Sequence, residues 1–369
     1  MDNKEATQFL FSLVDKSANV ITPNIKENGR KQWVEWDSGD NFFKYLIDIY
    51  YERSIAHKTI TSRKIDMISG NGFEETTDIA LNEFIKNRAD DDSLTSIVKK
   101  ITFDYELTGS FSLGIIWNGD GTKISQIYHI PIHSVKYDRD YYISKAERYF
   151  WICNDWTPYG VRKNPPTRMQ EFSNKYKNEK NQILYHKKDN NGQRWYSIPE
   201  YYGAFKYILS EYDISDYQYT NINDSFSGDF MISFNDGIPS PEQMDLQVKA
   251  FEQKYKGTKG SKMIVAFSSG KEHKPELSKI DHNTSDTRYK DLNDLIRQNI
   301  FVAHGIINPM LYGVFVPGQL GGRLELEDSL QIFQSVYINY RQLEIENVLN
   351  SLAKINGIQT PIKLKKYTI

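Results

Sequence analysis

The sequence predicts an α+β fold in which long helices flank small sheets. Apolar residues recur at three- and four-residue spacing in four stretches, near residues 40–63, 197–224, 285–304 and 324–354. Between these stretches lie short runs rich in β-branched and aromatic residues, separated by Gly, Asn and Asp turns, as is typical of strands. At 369 residues, the chain exceeds what one hydrophobic core usually organises, so we expect two or more subdomains.

Composition excludes several classes of protein. The chain has 46 Lys+Arg against 48 Asp+Glu, so it lacks the basic surplus of proteins that grip nucleic acid. The single cysteine, Cys153, excludes an internal disulfide framework and a Cys-based zinc site, and we expect it to be a small buried hydrophobe. The sequence contains neither a secretory signal nor an apolar stretch near the ~20 residues that span a bilayer. We therefore expect a soluble protein that is intracellular at synthesis.

The first half of the chain predicts helices followed by strands. We expect Trp33 and Trp36 to anchor the polar residues 1–39 on a neighbouring core. The strongest strand signal is a hairpin over residues 110–130, turned at Asn118-Gly119-Asp120-Gly121. Residues 157–181 are expected to form a loop, since they contain three prolines. The remaining expected helices are at 40–63 (capped by Asp40), 77–87 and 93–107 (capped by Ser93 and stopped near Gly109). The remaining expected strands are at 134–138, 141–144, 149–154 and 182–187.

The second half predicts long helices around a small β-α-β-β unit. Ser197, Pro199 and Glu200 mark the start of a helix that runs to about residue 224. The small unit comprises a strand at 230–234, a helix at 240–255 and strands at 263–268 and 274–277. The apolar residues of the last helix are interpreted as one buried stripe: Leu326, Leu330, Phe333, Val336, Tyr337, Tyr340, Leu343, Val348, Leu349 and Leu352.

The connection between the last two long helices is unusually long. Residues 308–323 contain four glycines and two prolines, whereas helix–helix connections usually take about 2–8 residues. Loops that exceed structural need are more often functional. This segment is therefore the first candidate for a functional site.

Every catalytic pattern in the sequence is weak. Residues 256–262 carry glycines and lysines without the spacing of a phosphate-binding loop. His129 and His133 are separated by Pro131, so they cannot share one helical face as metal ligands. His304 is explained by a favourable interaction with a helix C-terminus, and Asp90-Asp91-Asp92 by a solvated helix cap. We expect no enzyme activity, no cofactor and no metal.

Several short motifs, taken in order, resemble the HK97-type portal proteins of tailed double-stranded DNA bacteriophages. The clearest is His304-Gly305-Ile306-Ile307-Asn308-Pro309-Met310-Leu311-Tyr312-Gly313, which is similar to the family's F-G-V-P-P-x-L-L-G. The others are the hairpin over 107–130, the Gly-containing link and strand at 227–232, the helix opening at 239–243, the helix exit Lys254-Tyr255-Lys256-Gly257 and the strand at 270–277.

The resemblance implies a portal-type architecture and a division of the chain. It implies a non-enzymatic, dodecameric ring at one vertex of the capsid. Each subunit would have an N-terminal arm (1–39), an α+β wing (40–196), two stem helices (197–226 and 285–304), a small clip (227–284) and a tunnel loop (305–323). The last part (324–369) would be a long wing helix followed by a C-terminal strand at residues 362–365. The short end after Lys354 leaves little or no crown.

The resemblance also implies site residues and partners. The tunnel loop would line a DNA channel through Phe315, Val316, Pro317, Gly318, Gln319, Leu320, Gly321, Gly322 and Arg323; the stem candidates are Lys290, Asp294 and Arg297, and the clip docking candidates are Lys256, Lys259 and Lys262. Expected partners are further copies of the chain, double-stranded DNA, the major capsid protein, the terminase large subunit and a head–tail adaptor, with no membrane. The expected location is the virion, and the host cytoplasm during assembly.

Two alternatives remain open from the sequence. One is a head–tail adaptor or another structural protein of the virion. The other is a metal-dependent nucleic-acid enzyme that uses Asp90-Asp91-Asp92.

Overall fold

The computed structural model describes most of the chain, in two compact units. The larger unit comprises residues 21–208 and 299–369, and the smaller unit comprises residues 1–20 and 209–298. The described residues are 25–27, 31–36, 41–70, 72–86, 92–143, 147–175, 177, 179–188, 193–223, 229–234, 240, 242–243, 246, 263–267, 276–280, 286–314 and 322–368. None of the helices in these ranges is long and apolar enough to span a membrane.

The larger unit opens with four helices, three of which have a side-chain cap. The helices are α1 (Phe42–Glu52), α2 (Ile55–Ser69), α3 (Ile79–Ile85) and α4 (Leu94–Thr108). The single helix expected over residues 40–63 is wrong. The chain breaks after α1 because Ser54 adopts an extended conformation and its hydroxyl accepts the backbone N–H of His57 at 3.0 Å, which starts a second helix. The start of α4 at Ser93 and its end at Gly109, in the left-handed conformation, are as predicted.

Helix α4 packs on strands β3 and β4 of a six-stranded sheet with the order β4-β3-β8-β7-β6-β5. The predicted hairpin is confirmed, and β3 is also paired antiparallel with β8. Only β7 and β8 run parallel within this sheet. The strands are β3 (Ser110–Trp117), β4 (Ile124–Ile130), β5 (Val135–Tyr137), β6 (Tyr149–Ile152), β7 (Thr167–Glu171) and β8 (Asn181–Lys187).

Two predictions in this region are wrong. Residues 141–143 form a turn rather than a strand, because the backbone N–H groups of Tyr141 and Ile143 donate to the carbonyls three residues earlier, at 3.1 Å and 2.9 Å. The segment expected to be a loop contains helix α5 (Pro158–Lys163) and strand β7. The helix signal was present in the sequence, since Thr157 caps α5 and Pro158 occupies its first turn.

The described part of the N-terminal segment is anchored on the larger unit. Strands β1 (Ile25–Lys26) and β2 (Glu35–Trp36) pair antiparallel. Trp36 is buried and stacks on Phe42, with a centroid distance of 5.5 Å. Trp33 lies 5.2 Å from Trp156. The expected anchoring by the two tryptophans is confirmed for residues 31–36.

The helix expected from residue 197 begins later. A 3₁₀ turn at Glu200–Ala204 leads into α6 (Phe205–Asn223). Ser197 does not cap this helix, because its buried hydroxyl donates to the carbonyl of Thr108 at 2.8 Å. The predicted cap is therefore a tertiary contact with the end of α4.

The smaller unit contains a three-stranded sheet with the order β10-β9-β11. Strands β9 (Asp229–Phe234) and β10 (Met263–Phe267) are parallel, and β11 (Glu276–Ile280) is antiparallel to β9. Of the strand predicted at 274–277, residues 276 and 277 belong to β11, and residues 274 and 275 lie outside the described part of the chain. The predicted helix at 240–255 is helical at 242–243 and 246, and its remaining residues, apart from residue 240, lie outside the described part of the chain.

The C-terminal region is dominated by one long helix with an irregular middle. After α7 (Asp286–Ala303), a 3₁₀ turn at Pro309–Tyr312 leads toward α8 (Arg323–Phe333). A π-helical segment, Gln334–Ile338, joins α8 to α9 (Asn339–Ile355) without a break. We call α8, the π-helical segment and α9 together the C-terminal helix. The strand expected at 362–365 is reduced to one antiparallel bridge between Leu364 and Phe73.

The C-terminal helix does not bury all of its predicted apolar stripe. Phe333, Leu349 and Leu352 are buried. Val336 and Tyr340 are 58% and 64% exposed, so the interpretation as one buried stripe is wrong. The helix instead carries a buried face and a separate exposed apolar face.

A glycine at the end of α2 tests the packing of the C-terminal residues. Gly70 has φ +52° and ψ −145°, a backbone conformation that residues other than glycine rarely adopt. A Cβ atom added to Gly70 would lie 2.8 Å from the carbonyl oxygen of Lys365. We expect Gly70→Ala to lower the free energy of unfolding by about 3 kcal/mol through strain and crowding. Gly313→Ala, with φ +77° and open space, should cost only about 1 kcal/mol. Urea unfolding measures both, and equal losses would contradict the close packing at Lys365.

Candidate functional site

The base of the predicted tunnel loop is held on both sides by tertiary contacts. Asn308 caps the 3₁₀ turn by accepting the backbone N–H of Met310 at 3.0 Å, and its side-chain amide donates to Ser329 Oγ of α8 at 3.3 Å. Tyr312 is buried and meets the ring of Phe333 edge to face, at 6.0 Å between centroids. The segment before the loop is thus fixed to the helix that follows it.

The predicted channel residues lie only partly within the described chain. Gly322 is exposed at the N-terminus of α8, and the Arg323 side chain is 84% exposed and donates to Glu327 at 2.7 Å. The loop residues Phe315, Val316, Pro317, Gly318, Gln319, Leu320 and Gly321 lie outside the described residues.

The predicted stem and clip residues have a similar status. In the smaller unit, Asp294 is exposed on α7, and the Arg297 side chain is 52% exposed with its Nε 3.9 Å from Glu211 Oε1. Of Lys290 the structure describes only the helical backbone. The clip candidates Lys256, Lys259 and Lys262 lie outside the described residues.

The larger unit holds a buried charge cluster that the sequence did not predict. Arg341 of α9 is its centre, with a side chain only 11% exposed. The guanidinium approaches Glu106 Oε1 at 3.2 Å, Glu200 Oε2 at 2.6 Å and Glu344 Oε2 at 3.4 Å. Lys64, which is only 3% exposed, completes the group. We define the buried charge cluster as the buried Lys64, Glu106 and Arg341 together with Glu200 and Glu344 at its edge, whose side chains are 41% and 38% exposed.

Aromatic hydroxyl groups complete the hydrogen bonding of the carboxylates. Tyr337, in the π-helical segment, donates to Glu106 Oε2 at 2.6 Å, and Tyr105 donates to Glu344 Oε2 at 2.6 Å. Burial and the neighbouring Glu106 raise the pKa of Tyr337 well above its ordinary value, so its hydroxyl keeps the proton that it donates.

Lys64 Nζ lies 3.9 Å from the centroid of the Tyr337 ring. Because burial disfavours the ammonium, the pKa of Lys64 falls to about 8, although Glu106 opposes this shift.

Two buried histidines lie beside this cluster. His57 Nδ1 and His304 Nε2 are 3.0 Å apart, and Tyr201 stacks on His304 with 5.1 Å between centroids. Burial, reinforced by Lys64, lowers the pKa of His57 to about 3 and the pKa of His304 well below its ordinary value. Both rings are therefore neutral at pH 7. The sequence interpretation of His304 as a partner of the helix dipole is wrong, because the neutral ring has no charge to contribute.

The geometry of these groups does not resemble a ligand pocket. The cavity between the charge cluster and His304 measures about 10 Å³, against about 300–1,000 Å³ for typical small-molecule sites. His129 pairs with Asp104 at 2.8 Å, and Asp92 accepts a hydrogen bond from Ser96 at 3.0 Å. Asp90 and Asp91 lie outside the described residues. Within the described ranges, no group of three or more His, Cys, Asp or Glu side chains is placed to hold a metal ion.

Comparison with known proteins gives a fold but no close relative. No family model matches the sequence, and no curated protein matches it. A chain from the neck of the native gene transfer agent (GTA) particle, computed with C12 symmetry, matches with a TM-score of 0.58 and 12% identity over 89% of this chain and 84% of that chain. A chain from the neck of the empty GTA particle, computed with C6 symmetry, gives 0.57 and 10% over 88% and 84%. An HK97 family phage portal protein from Corynebacterium diphtheriae gives 0.48 and 10% over 84% and 92%.

The two matches to chains of the GTA neck establish the fold of the chain. The aligned part takes in nearly nine-tenths of this protein, so it includes residues of both units. The predicted α+β fold class is confirmed. The resemblance to proteins of phage-like virions, drawn from the sequence motifs, is confirmed at the level of the fold.

Proposed function

We propose that this chain is a portal protein: a subunit of a ring at one vertex of a phage or phage-like capsid. The ring, of dodecameric type, forms the channel through which double-stranded DNA enters and leaves, and it has no catalytic step of its own. The observation that supports this proposal most strongly is the fold shared with chains of the GTA neck over 88–89% of this protein.

The construction of the loop base supports the same function. A channel constriction needs a segment that can be displaced by DNA without unfolding the subunit that carries it. Contacts from Asn308 to Ser329 and from Tyr312 to Phe333 fix the segment before the loop to α8. The two ends of the proposed constriction are thereby attached to one packed unit.

The nearly neutral charge of the chain suits a channel through which DNA must slide. Each phosphate neutralised by Lys or Arg strengthens binding and makes it depend on salt. The formal net charge is −2, and the Arg323 side chain beside the loop is already engaged by Glu327. Weak electrostatic attraction permits translocation, whereas a strongly basic loop would hold the duplex.

The proposal includes the expected division into parts and partners. The wing, clip and tunnel loop keep the boundaries given by the sequence, whereas the first stem helix begins at Phe205. The clip residues Lys256, Lys259 and Lys262 are the docking candidates for the packaging motor or the adaptor. The major capsid protein surrounds the wing. The assembled protein is located at the portal vertex of the virion and in the host cytoplasm before assembly.

Electron microscopy of the purified protein tests the proposal directly. Negative-stain images should show rings of about twelve subunits with a central hole, the symmetry used for the native GTA neck. A stable monomer at micromolar concentration would exclude a portal function.

A deletion in the loop distinguishes the proposed channel function from the assembly of the ring. Deleting residues 316–321 should leave rings intact, because the contacts at the loop base do not involve these residues. Packaging of DNA, or its retention after packaging, should fall by at least tenfold in a particle assembly assay. Replacing the same residues by a Gly/Ser segment of equal length serves as the control for loop length. Failure of ring assembly in the deletion would show that the loop assignment is wrong.

A further inference from the structure

The C-terminal helix carries an exposed apolar face in addition to its buried one. Ile332, Val336, Tyr340 and Leu343 are 52%, 58%, 64% and 51% exposed. Their spacing of four, four and three residues places them on one side of the helix. Single exposed apolar residues are ordinary, but four in a row at helical spacing form a continuous surface.

No charged residue is among the exposed positions between Asp328 and Lys354, although the side chain of Glu344, beside Leu343, is 38% exposed at the edge of this surface. The charged residues of the same stretch are held by contacts inside the larger unit: Arg341 by Glu106, Glu344 by the Tyr105 hydroxyl, and Glu346 by the backbone N–H of Leu364 at 2.7 Å. We define the uncharged face as the exposed residues between Asp328 and Lys354, which are Gln331, Ile332, Ser335, Val336, Asn339, Tyr340, Leu343, Asn347 and Ser351.

Other helices of the same unit differ in this respect. Lys58 and Arg63 are exposed on α2, and Lys99 and Lys100 on α4. Charged residues make up 25% of the chain, so a long exposed face without any is not explained by composition. Depletion of charge combined with Tyr, Ile and Leu is the composition of the centre of a protein–protein interface.

The chemistry of the face selects the kind of partner. Nucleic acid is excluded, because the face offers no cation to neutralise phosphate. A membrane surface is a poor match, since interfacial helices place Lys and Arg beside their apolar face, and here the neighbouring exposed positions are Gln, Ser and Asn. Short uncharged amides and hydroxyl groups beside apolar residues suit the close packing of another protein surface.

We propose that the uncharged face is the contact between neighbouring copies of this chain, and this inference rests on the proposed ring. A closed ring requires a heterologous interface, in which one face of each subunit meets a different face of the next. The uncharged face supplies one half of that interface from every copy. It lies on the helix that follows the tunnel loop, so the same contact fixes the distance between adjacent loops.

Introducing charge on this face tests the inference. The double variant Val336→Glu and Tyr340→Glu should fold, because both side chains are more than half exposed, and circular dichroism checks this. Mass photometry should show at least a tenfold loss of rings in favour of monomers. Tyr159→Glu, a matched change at a 66% exposed tyrosine of α5, should assemble as the unaltered protein does. Normal assembly of the double variant would overturn the inference.

A cross-linking measurement does not depend on disrupting the ring. Benzoylphenylalanine in place of Val336 should, on irradiation of purified rings, give covalent dimers of this chain, and mass spectrometry would locate the opposing face. Intact rings that yield no such dimer would overturn this inference while the proposed portal function stands. Unaltered protein that forms no ring would instead refute the proposed function, and this inference with it.

Discussion

Arg341→Met is expected to lower the free energy of unfolding by about 3–5 kcal/mol, the usual cost of removing one partner from a buried ion pair. The Arg341 side chain is 11% exposed and that of Glu106 is 3% exposed. Without the guanidinium, Glu106 keeps the hydroxyl of Tyr337 as a donor but loses its closest charged partner. Urea unfolding at pH 7 and fixed protein concentration measures the loss.

Two further variants show whether the loss comes from the buried charge. Arg323→Met removes an ion pair whose arginine is 84% exposed, so it should cost no more than about 1 kcal/mol. Combining Glu106→Gln with Arg341→Met should cost less than the sum of the two single changes, by about 1–3 kcal/mol, because neither partner is then left alone as a charge. Strict additivity would mean that the 3.2 Å contact does not contribute to stability.

The neutral histidine pair is expected to make the protein acid-sensitive. In the unfolded chain His57 takes up a proton near pH 6.5, whereas in the folded chain it does so at about 3. Between these values the unfolded state binds more protons, so the free energy of unfolding falls as the pH falls. The slope from one histidine reaches at most about 1.4 kcal/mol per pH unit. Urea unfolding at pH 8, 7, 6 and 5 measures it.

The variant His57→Asn isolates this contribution. Asparagine places an amide near the position of Nδ1, so it can keep the hydrogen bond to His304. Below pH 6.5, the free energy of unfolding of the variant should decline less steeply with falling pH than that of the unaltered protein. The difference in slope corresponds to at most one bound proton. Above pH 7 the two curves should run parallel. Parallel curves over the whole range would show that His57 is not buried as a neutral ring.

Local signals were sufficient for most helices and strands of this fold. The cap at Ser93, the stop at Gly109 and the Asn-Gly-Asp-Gly hairpin depend on residues adjacent in sequence, and all three are present as predicted. The errors arose where a tertiary contact decided the outcome. Ser197 has the sequence context of a helix cap, yet its hydroxyl binds Thr108, which lies 89 residues earlier.

The buried charge cluster could not have been predicted in this way. Glu106 and Arg341 are separated by 235 residues, and each alone has the appearance of a surface charge on an amphipathic helix. The same limit applies to the apolar pattern of the C-terminal helix. Periodicity identified Val336 and Tyr340 as members of an apolar stripe, but only the packing of the larger unit shows that they lie outside the core.

The π-helical segment Gln334–Ile338 sets the angular phase between the two halves of the C-terminal helix. A π-helical turn contains one residue more than an α-helical turn, and each residue of an α-helix corresponds to about 100° of rotation. If the same residues were wound as regular α-helix, the extra residue would rotate α9 by about 100° relative to α8. Arg341 would then turn away from Glu106 as the uncharged face turned toward a different direction. Loss of one residue from this segment should therefore be better tolerated by evolution than gain of a second extra residue.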